Sequence, residues 1–367
     1  MGAALNRYAH IDFMRAAAVL LVVLQHAGLE NGLLGSAGVT MFFVVSGFVI
    51  TNLVLREEVE TSGFHLGTFY VRRALKILPP LGLVILLPSM IAGLFSGWQA
   101  VKPLALASQL LFFYNTVRIE GQSGVLPGAD VVWSLSVEEQ FYIGFAVIWL
   151  LCLQLRRPRV ALAWVAGTAF IWASIMRLVM AYLGSQRLAQ QLYFSTPTRI
   201  DAIALGVLLA LLVSSGYWQI MRLRASPLVW DALFFAAVTL LCATLLMQNY
   251  EANYSWMISL HALVAGAVIV AGFARGGLLL GGLAKAAQWR WLNRIGLASY
   301  SIYLVHHMVS LGLAPMVAEL PLPAQWIIKS LAGLAAGFLL WWAIELPLER
   351  FKQRKFSQEW RGPVTVR

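Results

Sequence analysis

Runs of apolar residues about 17 to 23 long recur from one end of this 367-residue chain to the other, separated by short polar stretches. A run of that length crosses the hydrocarbon core of a bilayer as one helix, which satisfies its own backbone hydrogen bonds in lipid. The runs fall at residues 12–28, 38–55, 77–95, 133–154, 160–183, 199–214, 227–247, 257–274, 297–317 and 325–347, about ten spans. The expected fold class is therefore all-α, a polytopic transmembrane helical bundle. Composition agrees: 60% of the residues are hydrophobic and 12% charged, about half the charged share of a soluble domain. The chain divides into a membrane domain, residues 1–350, and a basic tail, 351–367.

The net charge of +11 does not point to nucleic acid, because the cations sit in short loops between apolar runs rather than on one patch. Loop cations instead report orientation. With ten spans and a cytoplasmic N-terminus, the inner loops hold Arg7, Arg56, Arg72, Arg73, Lys76, Arg156, Arg157, Arg159, Arg222, Arg224, Arg275, Lys285, Arg290 and Arg294, while the outer loops keep Lys102, Arg118 and Arg187. Counting Leu104–Tyr114, only eleven residues long, as a further span would reverse this from Arg156 onward. Both termini are thus expected in the cytoplasm, with 96–132 as the longest outer loop and a short helix in it lying on or dipping into the membrane. Cys152 and Cys242 lie in apolar runs and read as packing residues. Trp98, Trp133, Trp256 and Trp341 read as interfacial anchors. The start of the chain reads as an uncleaved first span, and Asn253-Tyr254-Ser255 as a glycosylation sequon without weight.

Two residues of the first run are not explained by hydrophobicity. Arg15 and His26 stand eleven positions apart, so they share a helix face and are separated by roughly 16 Å. Other intramembrane polar residues fall into two groups by depth. Near the outer side come His26, Glu138 and Glu139, Arg177, and Arg199 with Asp201; near the inner side, Arg15, Arg72, Arg73, Lys76 and Glu345. Charges at such depth face a bundle interior and pair, so structural ion pairs such as Arg199 with Glu138 are one reading. The other is chemistry: an imidazole supported by a carboxylate is a general base, and clustered guanidinium groups suit an anionic phosphate ligand. For Arg72 and Arg73 taken alone, inner-surface anchoring by snorkelling is the first reading. Ser299, Tyr303, His306 and Ser310 form one polar stripe on the ninth span, either interhelical hydrogen bonding or a lining. Ser46-Gly47 reads as close helix packing rather than a nucleophile.

Seven elements in order resemble acyltransferase family 3, the polytopic membrane acyltransferases of bacteria and some eukaryotes: Arg15 with His26, Gly38–Phe48, Phe69–Pro80, Trp133–Tyr142, Arg199-Ile200-Asp201, Ser299–His306 and Glu345-Leu346-Pro347. The resemblance covers nearly the whole chain, without the hydrolase-like domain some members append, so a stand-alone membrane unit is expected. It implies transfer of an acyl group, usually acetyl, from cytoplasmic acyl-CoA to a hydroxyl, commonly of a cell-envelope glycan, in the bacterial cytoplasmic membrane. With the depth grouping, it gives the following expectations. Coenzyme A docks on Arg15, Arg72 and Arg73 and threads past Tyr303 and His306. His26 is the base, Glu138 orients it, and Arg199 or Arg177 stabilises the oxyanion, with Asp201 beside them; no metal is expected. Two other readings remain at this stage: transfer to a cytoplasmic small molecule such as a macrolide, and transport of a glycan lipid.

Overall fold

The computed structural model describes residues 8–29, 32–61, 63–98, 101–121, 124–184, 186–247, 254–274 and 276–359. Arg7, Arg275, the Asn253 sequon, the side chain of Arg187 and the tail beyond Glu359 lie outside the described residues. All regular elements among the described residues are helical. Ten helical segments are long and apolar enough to cross a bilayer: Ala9–His26, Leu33–Val59, Leu66–Phe95, Ala129–Leu153, Pro158–Leu183, Gln190–Val213, Pro227–Leu245, Ser255–Gly272, Arg290–Val317 and Leu322–Lys352. Each matches one run read from the sequence, and they are called the first to tenth spans below.

The first span packs along both the second and the ninth, the ninth along the tenth, and the second along the sixth, which meets the fifth. The fourth span meets the second, fifth and sixth, the third meets the ninth and tenth, and the eighth meets the second, fifth and sixth and packs along the seventh. The second span is central because it is apolar all round and can be buried on every face. Its Gly47 lies against the Ile203 carbonyl of the sixth span, and Gly206 of the sixth lies against the Val44 carbonyl of the second. A Cβ on either glycine would stand about 2 Å from that oxygen. The two backbones therefore touch, which is close helix packing at Gly47.

Proline opens several helices, at Pro103, Pro158, Pro197, Pro227 and Pro323, where its missing N–H is no loss. The third span departs from expectation. The sequence reading puts Pro79-Pro80 at its start, but one helix runs from Leu66 through both prolines and includes the basic stretch before them. A π-helical turn, Gly82–Leu86, follows directly and takes up the misfit that interior prolines create. A second π-helical turn, Trp341–Glu345, lies in the tenth span.

Two shorter features complete the frame. The short helix in 96–132 becomes a pair, Pro103–Leu110 and Tyr114–Ile119, docked into the bundle rather than resting on it. Gln109 donates to the Ala129 carbonyl, and Gln140 of the fourth span donates to the Phe112 carbonyl and to Asn115. A helix the sequence reading did not separate, Leu278–Ala287, precedes the ninth span. The Asp231 carboxylate accepts from the backbone N–H groups of Gly277, Leu279 and Leu280 at its start.

Candidate functional site

The first and ninth spans meet along a seam that carries both residues singled out in the first span. Toward one end, Arg15 Nε donates to Ser299 Oγ at 3.2 Å. Toward the other, His26 Nδ1 lies 3.0 Å from His306 Nε2, and the Ser310 hydroxyl donates to the His26 carbonyl at 2.5 Å. Three members of the ninth-span stripe thus face the first span. The fourth, Tyr303, donates to the Val131 carbonyl at 3.1 Å and lies 2.7 Å from Ser134 Oγ of the fourth span.

The hydrogen-bond network fixes the tautomers. His306 is buried, and its Nδ1 faces only carbonyls, those of Tyr303 at 2.7 Å and Ile302 at 3.2 Å. Carbonyls cannot donate, so Nδ1 carries the proton and Nε2 of the neutral ring carries a lone pair. That lone pair accepts from His26 Nδ1–H, which also faces the Val22 carbonyl at 3.1 Å. His26, half-buried, is left with its own lone pair on Nε2. This is the tautomer a general base requires.

A second imidazole and a carboxylate complete this end. The His307 ring lies over His26 with centroids 4.1 Å apart. Its Nδ1 is 3.2 Å from Asp130 Oδ1, and the other Asp130 oxygen accepts from Arg118 at 2.5 Å. Arg118 also donates to the Asp130 carbonyl and stacks on Phe194. Asp130 arrives through Gly128, whose φ of +81° is left-handed and whose missing Cβ leaves room for the Met308 backbone. Beside Arg118, burial pushes the Tyr114 phenol up to about 12, so it stays neutral.

Glu138 is not the carboxylate at His26. It and Glu139 turn toward the third span: Glu139 accepts from Arg73 at 2.9 Å, and Arg73 lies 3.5 Å from the centroid of the Tyr142 ring. Glu138 accepts from Tyr142 and from Ser46, and the charges of Arg73 and Lys76 act on it. The expectation failed because depth along a span does not say which way round the bundle a side chain points. Arg72, on the same turn as Arg73, pairs with Glu57 at 3.8 Å. Arg15, Lys76, Arg73, Glu345 and Glu349 form one electrostatic cluster, in which Ser301 donates to Glu345.

Arg199 and Asp201 are both wholly buried and lie apart from the imidazoles. Asp201 is clasped by Arg177 through both carboxylate oxygens. The remaining Arg177 N–H groups donate to the Ser255 and Thr198 carbonyls and to Ser259 Oγ, which leaves none for an oxyanion. Arg199 donates to Thr40 and sits among the rings of Phe43, Tyr193 and Trp133 at 5.3 to 5.9 Å. Trp133 is consequently a buried wall, not an interfacial anchor.

The sequence reading missed His307, Asp130 and the partnership of Arg118. His307 falls outside the Ser299, Tyr303, His306, Ser310 spacing, yet His26 is placed to touch both rings. Asp130 belongs to the outer loop by hydropathy, and only the Gly128 turn brings it to the ninth span. Two cavities, of about 460 and 330 Å³, lie elsewhere, between the second, fifth and sixth spans near Arg159 and Ser214.

The sequence matches known proteins over most of its length. A family model described as an acyltransferase domain, the third family of that name, matches residues 8–346. A candidate peptidoglycan O-acetyltransferase of Bacillus subtilis, YrhL, is 27% identical over 95% of this chain and 56% of its own. A candidate O-acetyltransferase of Staphylococcus aureus is 27% identical over 82% of this chain and 50% of its own. The peptidoglycan O-acetyltransferase OatA of Listeria monocytogenes is 25% identical over 90% of this chain and 53% of its own. The chain spans about half the length of these relatives. No solved structure matches it significantly. The family match runs from the start of the first span into the tenth, through both ends of the seam, and the chain belongs to acyltransferase family 3.

Proposed function

We propose that this chain is a membrane O-acetyltransferase that moves an acetyl group from acetyl-CoA, bound at the Arg15 end of the seam, to a hydroxyl of a cell-wall glycan at the His26 end. The observation that carries this reading is the single seam with a cation cluster at one end and a His26–His306 pair, tautomerically set for base catalysis, at the other. Both termini lie on the donor side, the cytoplasmic face of the bacterial inner membrane, in keeping with the loop cations.

In this reading the coenzyme A phosphates dock on Arg15 and Lys76, with Arg72 at the rim. Arg73 is already matched by Glu139 and braces the third span against the fourth. The pantetheine arm follows the seam past Tyr303, covering the roughly 16 Å between Arg15 and His26. His26 Nε2 takes the proton of the acceptor hydroxyl as its oxygen attacks the thioester carbonyl. The C–S bond then breaks, and the proton returns from His26 to the sulfur, so the products are the acetyl ester and free coenzyme A. His306 holds the ring in the basic tautomer. Glu138, Arg199, Asp201 and Arg177 are structural, each engaged with partners away from the imidazoles.

The test is a purified protein in nanodiscs, given radiolabelled acetyl-CoA and a peptidoglycan fragment. Acetyl ester formation is expected, with matching loss of ester mass from muropeptides of a strain lacking the gene. Folded protein that shows no transfer and no thioester hydrolysis would overturn the reading.

A further inference from the structure

Resting on the reading of His26 as the base, we propose that Asp130 is a positioning residue for that base, acting through His307, and that the docked segment Pro103–Ile119 holds it in place through Arg118. The groups that face His26 are His306 and His307 from the ninth span, Asp130 from the start of the fourth, and Arg118 from the docked segment. Asp130 is the only anion among them. It accepts from His307 Nδ1, which holds that ring against His26, centroids 4.1 Å apart and planes tilted by 36°.

Beside His26, the Arg118 and Asp130 charges offset each other. When the acceptor O–H bond breaks and the proton bonds to His26 Nε2, the ring gains a positive charge among two imidazoles and a guanidinium. Asp130 supplies the opposing charge at that moment, and it gives up no proton itself. Because Asp130 lies at the join between the docked segment and the fourth span, and Gly128 lets the chain pass against the Met308 backbone, its place depends on the segment rather than on either span alone.

The experiment compares the pH dependence of acetyl transfer by the wild-type protein, Asp130→Asn, Asp130→Glu, His307→Gln and His26→Ala in nanodiscs. Asp130→Asn keeps one acceptor oxygen for His307, removes the charge and exchanges the oxygen that accepts from Arg118 for an NH2 group. It is expected to lower kcat about 10- to 100-fold with little change in the KM for acetyl-CoA, and to move the acid limb of kcat/KM about one unit to lower pH. Asp130→Glu is expected to recover most of the acid limb. If Asp130→Asn does not fold, as judged by thermal unfolding and donor binding, His307→Gln leaves the Arg118 pair and the Asp130 charge intact and is expected to lower kcat about 10- to 100-fold with no shift of the acid limb to lower pH. A folded variant with wild-type kcat and an unmoved acid limb overturns the proposal. Activity retained by His26→Ala would instead overturn the reading of His26 as base, so the two failures are distinguishable.

Discussion

His26 Nδ1 and His306 Nε2 lie 3.0 Å apart across the seam between the first and ninth spans, and the carbonyls behind His306 decide which nitrogen holds each proton. The direction of donation runs from His26 to His306, so His306 sets the chemistry of His26 without needing to meet a substrate.

His306→Ala removes the acceptor for His26 Nδ1–H and allows the ring to adopt either tautomer. Loss of about 10²-fold or more in kcat is expected, in line with removal of a group that positions a base. His306→Gln can set an amide oxygen near the lost Nε2, and a clear partial recovery in the same transfer assay is the expected result. Equal activity of the two variants would show that the contact is only packing.

His26→Ala should abolish transfer while leaving membrane insertion and acetyl-CoA binding near wild type. Equilibrium binding of radiolabelled donor and acetyl release by mass spectrometry separate the two properties. Substantial remaining turnover removes His26 from the chemistry.

Arg15→Ala deletes a guanidinium that donates to Ser299 and faces the Lys76 cluster. A charge-assisted hydrogen bond to a phosphate contributes about 1.5–3 kcal/mol, so the KM for acetyl-CoA should rise roughly 10- to 100-fold with kcat at saturation little changed. If only the saturated rate falls, Arg15 does not dock the donor.

Asp201→Asn leaves the buried Arg177 without its counter-charge in the interior of the bundle. Breaking a buried pair from one side costs about 3–5 kcal/mol. A lowered unfolding temperature in detergent is expected, while activity per folded molecule stays close to wild type. Loss of turnover with unchanged stability would return Asp201 to the catalytic residues.

Much of the frame was legible because hydropathy and loop cations are one-dimensional signals. Ten runs of bilayer length, too few cations in every second loop, and an eleven-residue separation of Arg15 and His26 need no knowledge of neighbours. What was not legible is azimuth. Glu138 and His26 stand at comparable depth, yet one faces the third span and the other the ninth. Asp201 and Arg199 are two residues apart on the sixth span and therefore point to different partners. Asp130 needed a left-handed glycine turn to bring it to the seam, and Gly128, following Val125-Leu126-Pro127, carries no sign of that direction in the sequence.

The π-helical turn Trp341–Glu345 has a consequence for reading variation in this chain. Such a turn is an α-helix holding one residue more than its pitch accommodates, so all that follows is rotated by about 100° from where an unbroken helix would aim it. Glu345 meets Ser301 at the close of that turn, and Glu349 and Lys352 extend the same cluster beyond it. A one-residue deletion between Trp341 and Ile344 would therefore act less as a shortening than as a twist, turning Glu345 away from the Arg15 end while leaving the hydrophobic length of the span almost untouched.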